Sequence, residues 1–229
     1  MTNTLCEIIQ RREDLSDFVF HFTKGPNAKE VLKQIIAEKK IKDKRGRGFV
    51  CFSESPITML SPMFNYFKQW DSPMYAPYGI GIKKEYLYQI GGRPVIYGDN
   101  DDLNNIAEPL KWRFVQYIPG KYDFTWLREW RLPLSSIDLS YDNCFFIVEQ
   151  ESDCRDMFDL FMDLNDIDID AEPEDGGVYT TYTGYFTRKY KVISLEEIMV
   201  LSNMNKEQFS KLLGVQQREE GVCLGSTWE

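Results

Sequence analysis

Two stretches, DFVFHFTKG from Asp17 to Gly25 and GRGFVCFSESPITML from Gly46 to Leu60, decide how the chain folds. Phe18 to Phe22 is an aromatic and β-branched run that reads as a strand, and it carries His21, the single histidine of the protein. Asn27 to Lys39 has helical spacing, with Val31, Leu32, Ile35 and Ile36 on one face and Lys29, Lys33 and Lys40 elsewhere on the surface. Asn27, after Gly25-Pro26, is placed to cap that helix. Gly46-Arg47-Gly48 is a turn into a second strand, Phe49 to Phe52, which ends in the polar pair Ser53-Glu54. Strand, helix, basic loop and strand leave His21 and Ser53-Glu54 at strand ends, where chemistry is expected. His21 has two readings at this point: a core histidine with one satisfied nitrogen, or a ligand-binding residue.

The chain has 229 residues, enough for one large domain or two small ones, and one is favoured. Hydrophobic residues at 43% and aromatics at 14% allow a substantial core and argue against global disorder. No apolar run approaches the ~20 residues of a membrane helix, and Met1 to Arg12, an amphipathic helix or arm, lacks a signal-peptide core; no membrane association and a cytoplasmic location are expected. Cys6, Cys51, Cys144, Cys154 and Cys223 include no C-x-x-C pair, and one histidine cannot complete the usual zinc patterns. Reduced thiols with no structural metal and no disulfide are expected. A Cys51–His21 nucleophile pair is disfavoured, because Cys51 alternates with Val50 and Phe52 in a strand.

The formal charge of −9 is unevenly spread. Lys24 to Arg47 holds nine basic residues against Glu30, Glu38 and Asp43, whereas Glu149 to Asp175 holds twelve acidic residues against Arg155 alone. Either can be a solvated face, and the helix lysines read best that way. Arg45 and Arg47, on either side of Gly46 and beside the strand end, are better suited to an anion contact.

Beyond Ser53, Ile57 to Trp70 has helical spacing, with Pro62 expected in its first turn or breaking it. Tyr78 to Ile82 and Tyr86 to Ile90 flank a turn, and Pro94 to Tyr97 reads as another strand. Asn100 to Glu108 is polar and helical, Trp112 to Ile118 apolar again, and Trp130 to Leu134 strand-like. Cys144 to Val148 is a strand, and Arg155 to Leu164 a helix with Met157, Leu160, Phe161 and Leu164 in one stripe. Asp163 to Asp170 has the acidic density of a calcium loop, but a loop starting at Asp166 wants glycine sixth and glutamate twelfth, where Ala171 and Gly177 stand. Tyr179 to Tyr190 is β-prone, Val192-Ile193 reads as a last strand, and Ser194-Leu195-Glu196-Glu197 as a capped helix start. Glu129 lies between Arg128 and Arg131 and between Trp126 and Trp130; by spacing alone it is an exposed ion-pair partner of Arg128 or Arg131.

HFTKGPNAKEVLKQII followed by RGRGFVCFSESPITML resembles the opening of the ADP-ribosyltransferase fold in DarT-type toxins. There a His-x-Thr strand end, a helix and an Arg-bearing loop lead into a strand ending in Phe-Ser. The stretch also resembles the AbiGi-like abortive-infection proteins of bacterial anti-phage systems, and the similarity spans roughly residues 17 to 135. The resemblance implies a single α+β domain over 1–229, with a split, mostly antiparallel sheet and flanking helices: core motifs in 1–139 and an α/β extension in 140–229. It further implies an enzyme transferring ADP-ribose from NAD, as substrate and with no metal, to a macromolecule such as nucleic acid, in anti-phage defence or a toxin–antitoxin system with a cognate antitoxin or chaperone. Glu129, entering a late strand after the loop Pro119 to Leu127, would be the catalytic acidic residue, and Arg47 would pair with the pyrophosphate or assist transfer. His21, Phe22 and Thr23 would hold the adenosine or ribose, Phe52 and Ser53 would border the nicotinamide, and Tyr97 would stack on nicotinamide or adenine. His21, Thr23, Ser53 and Glu129 are then expected to share one cleft. The strand reads Phe-Ser-Glu without the longer pattern of the toxins, and there is no second histidine, which leaves the acceptor open. A catalytically silent binding or neutralising protein whose acidic tail engages a basic partner, and a plain NAD hydrolase, are the other readings.

Overall fold

The structure is a computed structural model that describes residues 16–157, 160, 162–174, 177–188 and 190–202. Its strands in chain order are β1 (Phe18–Phe22), β2 (Lys40–Lys42), β3 (Val50–Ser53), β4 (Gly79–Lys83), β5 (Arg93–Pro94), β6 (Ile96–Gly98) and β7 (Phe114–Gln116). They continue as β8 (Glu129–Leu132), β9 (Ser136–Asp138), β10 (Cys144–Val148), β11 (Met162–Glu174), β12 (Gly177–Arg188) and β13 (Lys191–Ser194). The helices are α1 (Ala28–Glu38), α2 (Ile57–Phe67), α3 (Lys84–Gln89), α4 (Asn100–Asn105), α5 (Glu151–Asp156) and α6 (Leu195–Ser202). The fold is α+β: a seven-stranded sheet in the order β13-β10-β4-β1-β3-β8-β5, antiparallel except for the β10–β13 pair, with flanking helices.

Alternation along β1 builds two cores. Phe20 and Phe22 pack with Leu60 and Phe64 of α2, Ile147 and Leu195, while Val19 on the opposite face packs with Leu32, Ile35 and Ile36 of α1, Phe52 and Trp130. Each fully buried side chain of this kind contributes about 1.5–3 kcal/mol, so the pattern of β1 alone commits the sheet to helices on both sides. Between the halves the pairing is thin. β1 and β4 are in register over five residue pairs, but β1 and β3 meet only at Phe20↔Ser53, and the sheet is split there.

Several expectations shift. Asn27 occupies the N-cap of α1 but its side chain makes no capping bond, because its backbone (φ −99°, ψ 27°) lies outside the extended region that capping uses. α2 runs through Pro62 at its sixth residue; Pro62 and Thr58, whose carbonyl loses its N–H partner, are both exposed, so water can replace the missing bond. Tyr86 to Ile90 is not a strand: β4 leads directly into α3, which places Tyr86, buried Leu87 and Ile90 on one helical face. Pro94 to Tyr97 is divided at Val95, with β5 pairing with β8 and β6 pairing in parallel with β7. Of the helix expected at Arg155–Leu164, α5, which starts with a Gln150–Asp153 capping box, ends at Asp156, Leu160 is again helical, Phe158, Asp159 and Phe161 lie outside the described residues, and the chain is in β11 from Met162. Met157, 1% exposed, still enters the core as the stripe required.

At α6 the expected cap is realised: the Glu197 amide donates to Ser194 Oγ at 3.1 Å and Glu197 Oε2 accepts from the Ser194 amide at 3.0 Å. β11 and β12 pair with one another over most of their length as a separate two-stranded ribbon, so Asp163–Asp170 is strand rather than a calcium loop. A register shift between Leu164 and Asp166 leaves Asn165 bulged, and the pairing then puts Asp163, Asp166, Asp168, Asp170, Glu172 and Glu174 on one face. Among the described residues no helix is long and apolar enough to cross a membrane, and no group of three or more His, Cys, Asp or Glu residues is placed to hold a metal. Cys51, Cys144 and Cys154 are free thiols; Cys6, Cys223 and the expected N-terminal helix or arm lie outside the described residues.

Candidate functional site

The split between β1 and β3 opens into a cleft of ≈ 470 Å³, walled by α1 through Ile35 on one side and α2 through Leu60 on the other. That volume lies in the ~300–1,000 Å³ range of small-molecule sites. His21, Thr23, Ser53 and Glu129 all line it, as do Phe22, Arg47 and Phe52. By pleat, His21 shares the face of Val19 whereas Ser53 and Glu129, paired in register, share the face of Phe20; they reach one cleft because the sheet is open between them.

His21 spans that opening. Its Nδ1 donates to the Cys51 carbonyl at 2.8 Å, which fixes the tautomer and leaves Nε2 as the acceptor nitrogen. Burial lowers its pKa below 6.5; the Cys51 bond opposes the shift, and Lys24 and Arg47 add to it, so the ring is neutral at pH 7. Thr23, 4% exposed, donates its hydroxyl to the Tyr78 carbonyl at 2.8 Å and so fastens the end of β1 to the approach to β4. Phe22 packs edge-on against Phe64 with centroids 4.8 Å apart, and Phe52 lies 5.8 Å from the His21 ring; both are core residues that also border the cleft.

Ser53 is where β3 meets the loop that delivers Glu129. Ser53 Oγ donates to the Leu127 carbonyl at 2.6 Å and accepts from the Ser55 amide at 3.2 Å, Ser55 Oγ donates to the Trp126 carbonyl, and the Glu54 amide reaches the Leu127 and Arg128 carbonyls at 3.2 Å. Arg128 then takes a left-handed conformation (φ 45°), a strained geometry for a non-glycine residue, immediately before Glu129 opens β8. Glu129 Oε1 accepts from Arg131 Nε at 2.8 Å. The pair is one of the two that spacing suggested, but with side chains only 14% and 13% exposed it is not a surface pair.

Arg47 is exposed at the mouth, with its guanidinium 4.9 Å from the Phe49 ring centroid and Nη2 3.5 Å from Cys51 Sγ. Its loop is closed by Asp43, whose carboxylate accepts from the Gly48 amide at 2.7 Å and the Arg45 amide at 3.0 Å. Lys24 and Arg45 line the same side, and burial together with Arg45 and Arg47 holds the Lys24 amine below its usual range. Tyr97 is not brought to the cleft. Its hydroxyl lies between the Phe124 carbonyl, to which it donates, and the Glu129 amide, from which it accepts, both at 3.2 Å.

Sequence reasoning missed Tyr75 and the full setting of Arg131. Tyr75 lines the cleft from the irregular segment after α2, held by ring contacts with Phe67 and Trp126, and its hydroxyl is pushed up by burial and then by the Glu129 charge. No periodic pattern marks that segment. Cys51 is raised to about 11 by burial and then by Glu129, so it is a thiol at neutral pH and not a nucleophile. Comparison with protein-family models, curated protein sequences and solved structures found no match.

Proposed function

We propose that the chain is an NAD-dependent ADP-ribosyltransferase with an ADP-ribosyltransferase-like fold, acting on a macromolecule such as nucleic acid in bacterial anti-phage defence or a toxin–antitoxin system. The observation that carries this reading is the meeting of His21, Thr23, Arg47, Ser53 and Glu129 at the split of a mostly antiparallel sheet. Cations at Lys24, Arg45 and Arg47 suit a pyrophosphate, and the neutral His21 Nε2 suits a ribose hydroxyl. On this reading the bond between ribose C1′ and the nicotinamide nitrogen breaks, its electron pair neutralising the pyridinium. Positive charge develops on the sugar, and the Glu129 carboxylate offsets it through the 2-hydroxyl. In the structure the Glu129 carboxylate is engaged by Arg131 through Oε1 and by the Cys51 thiol, so binding the sugar hydroxyl adds to or replaces the thiol contact. A lone pair of the acceptor then bonds C1′, and the acceptor proton passes to solvent.

The test is incubation with NAD and nucleic acid or lysate, scoring nicotinamide release and labelled acceptor. Glu129→Gln should lower turnover about a hundredfold or more, in line with the ~3 kcal/mol typical of a lost charge-stabilising group. Its amide oxygen can still accept from Arg131 and hold the geometry, but the charge of a largely buried pair is lost, so stability should fall by up to about 3 kcal/mol while the variant stays folded. Activity equal to the wild type would refute the mechanism. A silent binding protein is the second reading, favoured by the engagement of Glu129 with Arg131 and of His21 with Cys51 inside the protein; it predicts no nicotinamide release. Release without a labelled acceptor would mean NAD hydrolysis.

A further inference from the structure

We infer that Arg131 and Tyr97 are positioning residues, and that the excursion from β5 through β7 is a bracket that fixes the Glu129 carboxylate over the cleft. The inference rests on the catalytic role proposed for Glu129. A residue that opens a strand directly after a strained left-handed position has little intrinsic restraint, yet Glu129 is held at three points. Its amide donates to the Tyr97 hydroxyl at 3.2 Å, its carbonyl accepts from the Val95 amide at 3.0 Å, and Oε1 accepts from Arg131 at 2.8 Å.

Arg131 is itself immobilised. Its Nη1 donates to the Trp112 carbonyl at 2.7 Å and the Phe114 carbonyl at 2.9 Å, and its guanidinium lies 4.4 Å from the Phe49 ring centroid. A guanidinium fork committed on one edge to two carbonyls and on its face to a ring cannot follow the carboxylate; it dictates where the carboxylate stays. Tyr97 works from the backbone side, linking the Phe124 carbonyl to the Glu129 amide. The chain leaves the main sheet at Val95 to pair β6 with β7, and that departure is what carries Tyr97 to Glu129 and Trp112–Phe114 to Arg131. None of Tyr97, Trp112 and Phe114 lines the cleft, so their contribution runs through Glu129.

The experiment compares wild type, Arg131→Lys and Tyr97→Phe for melting, NAD binding by calorimetry, and kcat and KM for nicotinamide release. A single lysine nitrogen cannot stand at both the Nε position that serves Glu129 and the Nη1 position that serves the two carbonyls, so Arg131→Lys should lose about tenfold to a hundredfold in kcat while KM changes by less than about threefold. Tyr97→Phe deletes one oxygen and should fold, with a kcat loss of about threefold to tenfold and KM again retained; it decides the question if Arg131→Lys does not fold. Arg131→Ala assayed with added methylguanidinium should regain part of its kcat, which a merely structural role would not produce. Wild-type kcat in both Arg131→Lys and Tyr97→Phe, or a change in KM alone, would overturn the inference and leave the Glu129 reading standing. A wild type that releases no nicotinamide, or an active Glu129→Gln, would remove that reading and this inference with it.

Discussion

His21 is the only histidine, and burial lowers its pKa from the ordinary value. With its pKa lowered from 6.5 in the folded state, the unfolded chain binds more protons, so the stability that this ring contributes is present above pH 6.5. It is lost as pH falls from there through the lowered folded value. His21→Asn retains a donor for the Cys51 carbonyl but cannot titrate, and its unfolding free energy should be flatter than that of the wild type from about pH 7 down to pH 5.5. Denaturant melts at half-unit steps would show this; parallel curves would mean that carboxylates own the slope. Of the two readings of His21 open at the sequence level, the core one accounts for Nδ1, satisfied by Cys51, and Nε2 is an acceptor on a ring that lines the cleft. For Glu129 spacing narrowed the partner to Arg128 or Arg131, but neither the choice of Arg131 nor its burial was legible, because the cover comes from the segments at Trp112–Phe114 and Phe49, far away in sequence.

β4 shows at the level of the element how a sheet admits large rings. Gly79 and Gly81 alternate with Ile80 and Ile82, and a Cβ on Gly81 would lie 2.4 Å from the Phe145 ring, its register partner on β10. Gly81→Ala should therefore destabilise by about 1–3 kcal/mol through overpacking, measured by chemical denaturation. Phe145→Leu should relieve part of that cost in the double variant, and additive losses would argue against the clash. Elements with a strong period of their own, β1, α1, β3, β10 and the Ser194 cap of α6, were readable from the residues they contain. The misread ones are short or lie at changes of partner. Tyr86 to Ile90 carries apolar residues that suit a strand or one helical turn equally, and packing on Leu87 decides. Pro94 to Tyr97 changes sheets at Val95, which no local pattern announces. The single pair Phe20↔Ser53 that joins β1 to β3, beside which the cleft lies, is a property of pairing that no local pattern announces.

Across the whole molecule, charge is segregated rather than balanced: the basic stretch from Lys24 to Arg47 supplies every cation lining the cleft except Arg131, and the acidic one includes β11. On the β11–β12 ribbon, the bulge at Asn165 keeps six acidic positions in phase along one face. Positions two apart in a strand are about 6.6 Å apart, inside the Debye length of ~8 Å at physiological ionic strength, so the formal negative charge of this sequence recurs along the ribbon at a spacing that salt screens. Ionic strength thus becomes a determinant of how firmly this hairpin stays zipped. Raising salt from about 10 mM to about 1 M, which shortens that screening distance to about 3 Å, should slow amide hydrogen exchange along β11 and β12 while leaving β1 and β4 unchanged. Asp168→Asn with Asp170→Asn should give the high-salt protection at low salt, and a ribbon whose exchange ignores both salt and substitution would contradict the idea that its own charge loosens it.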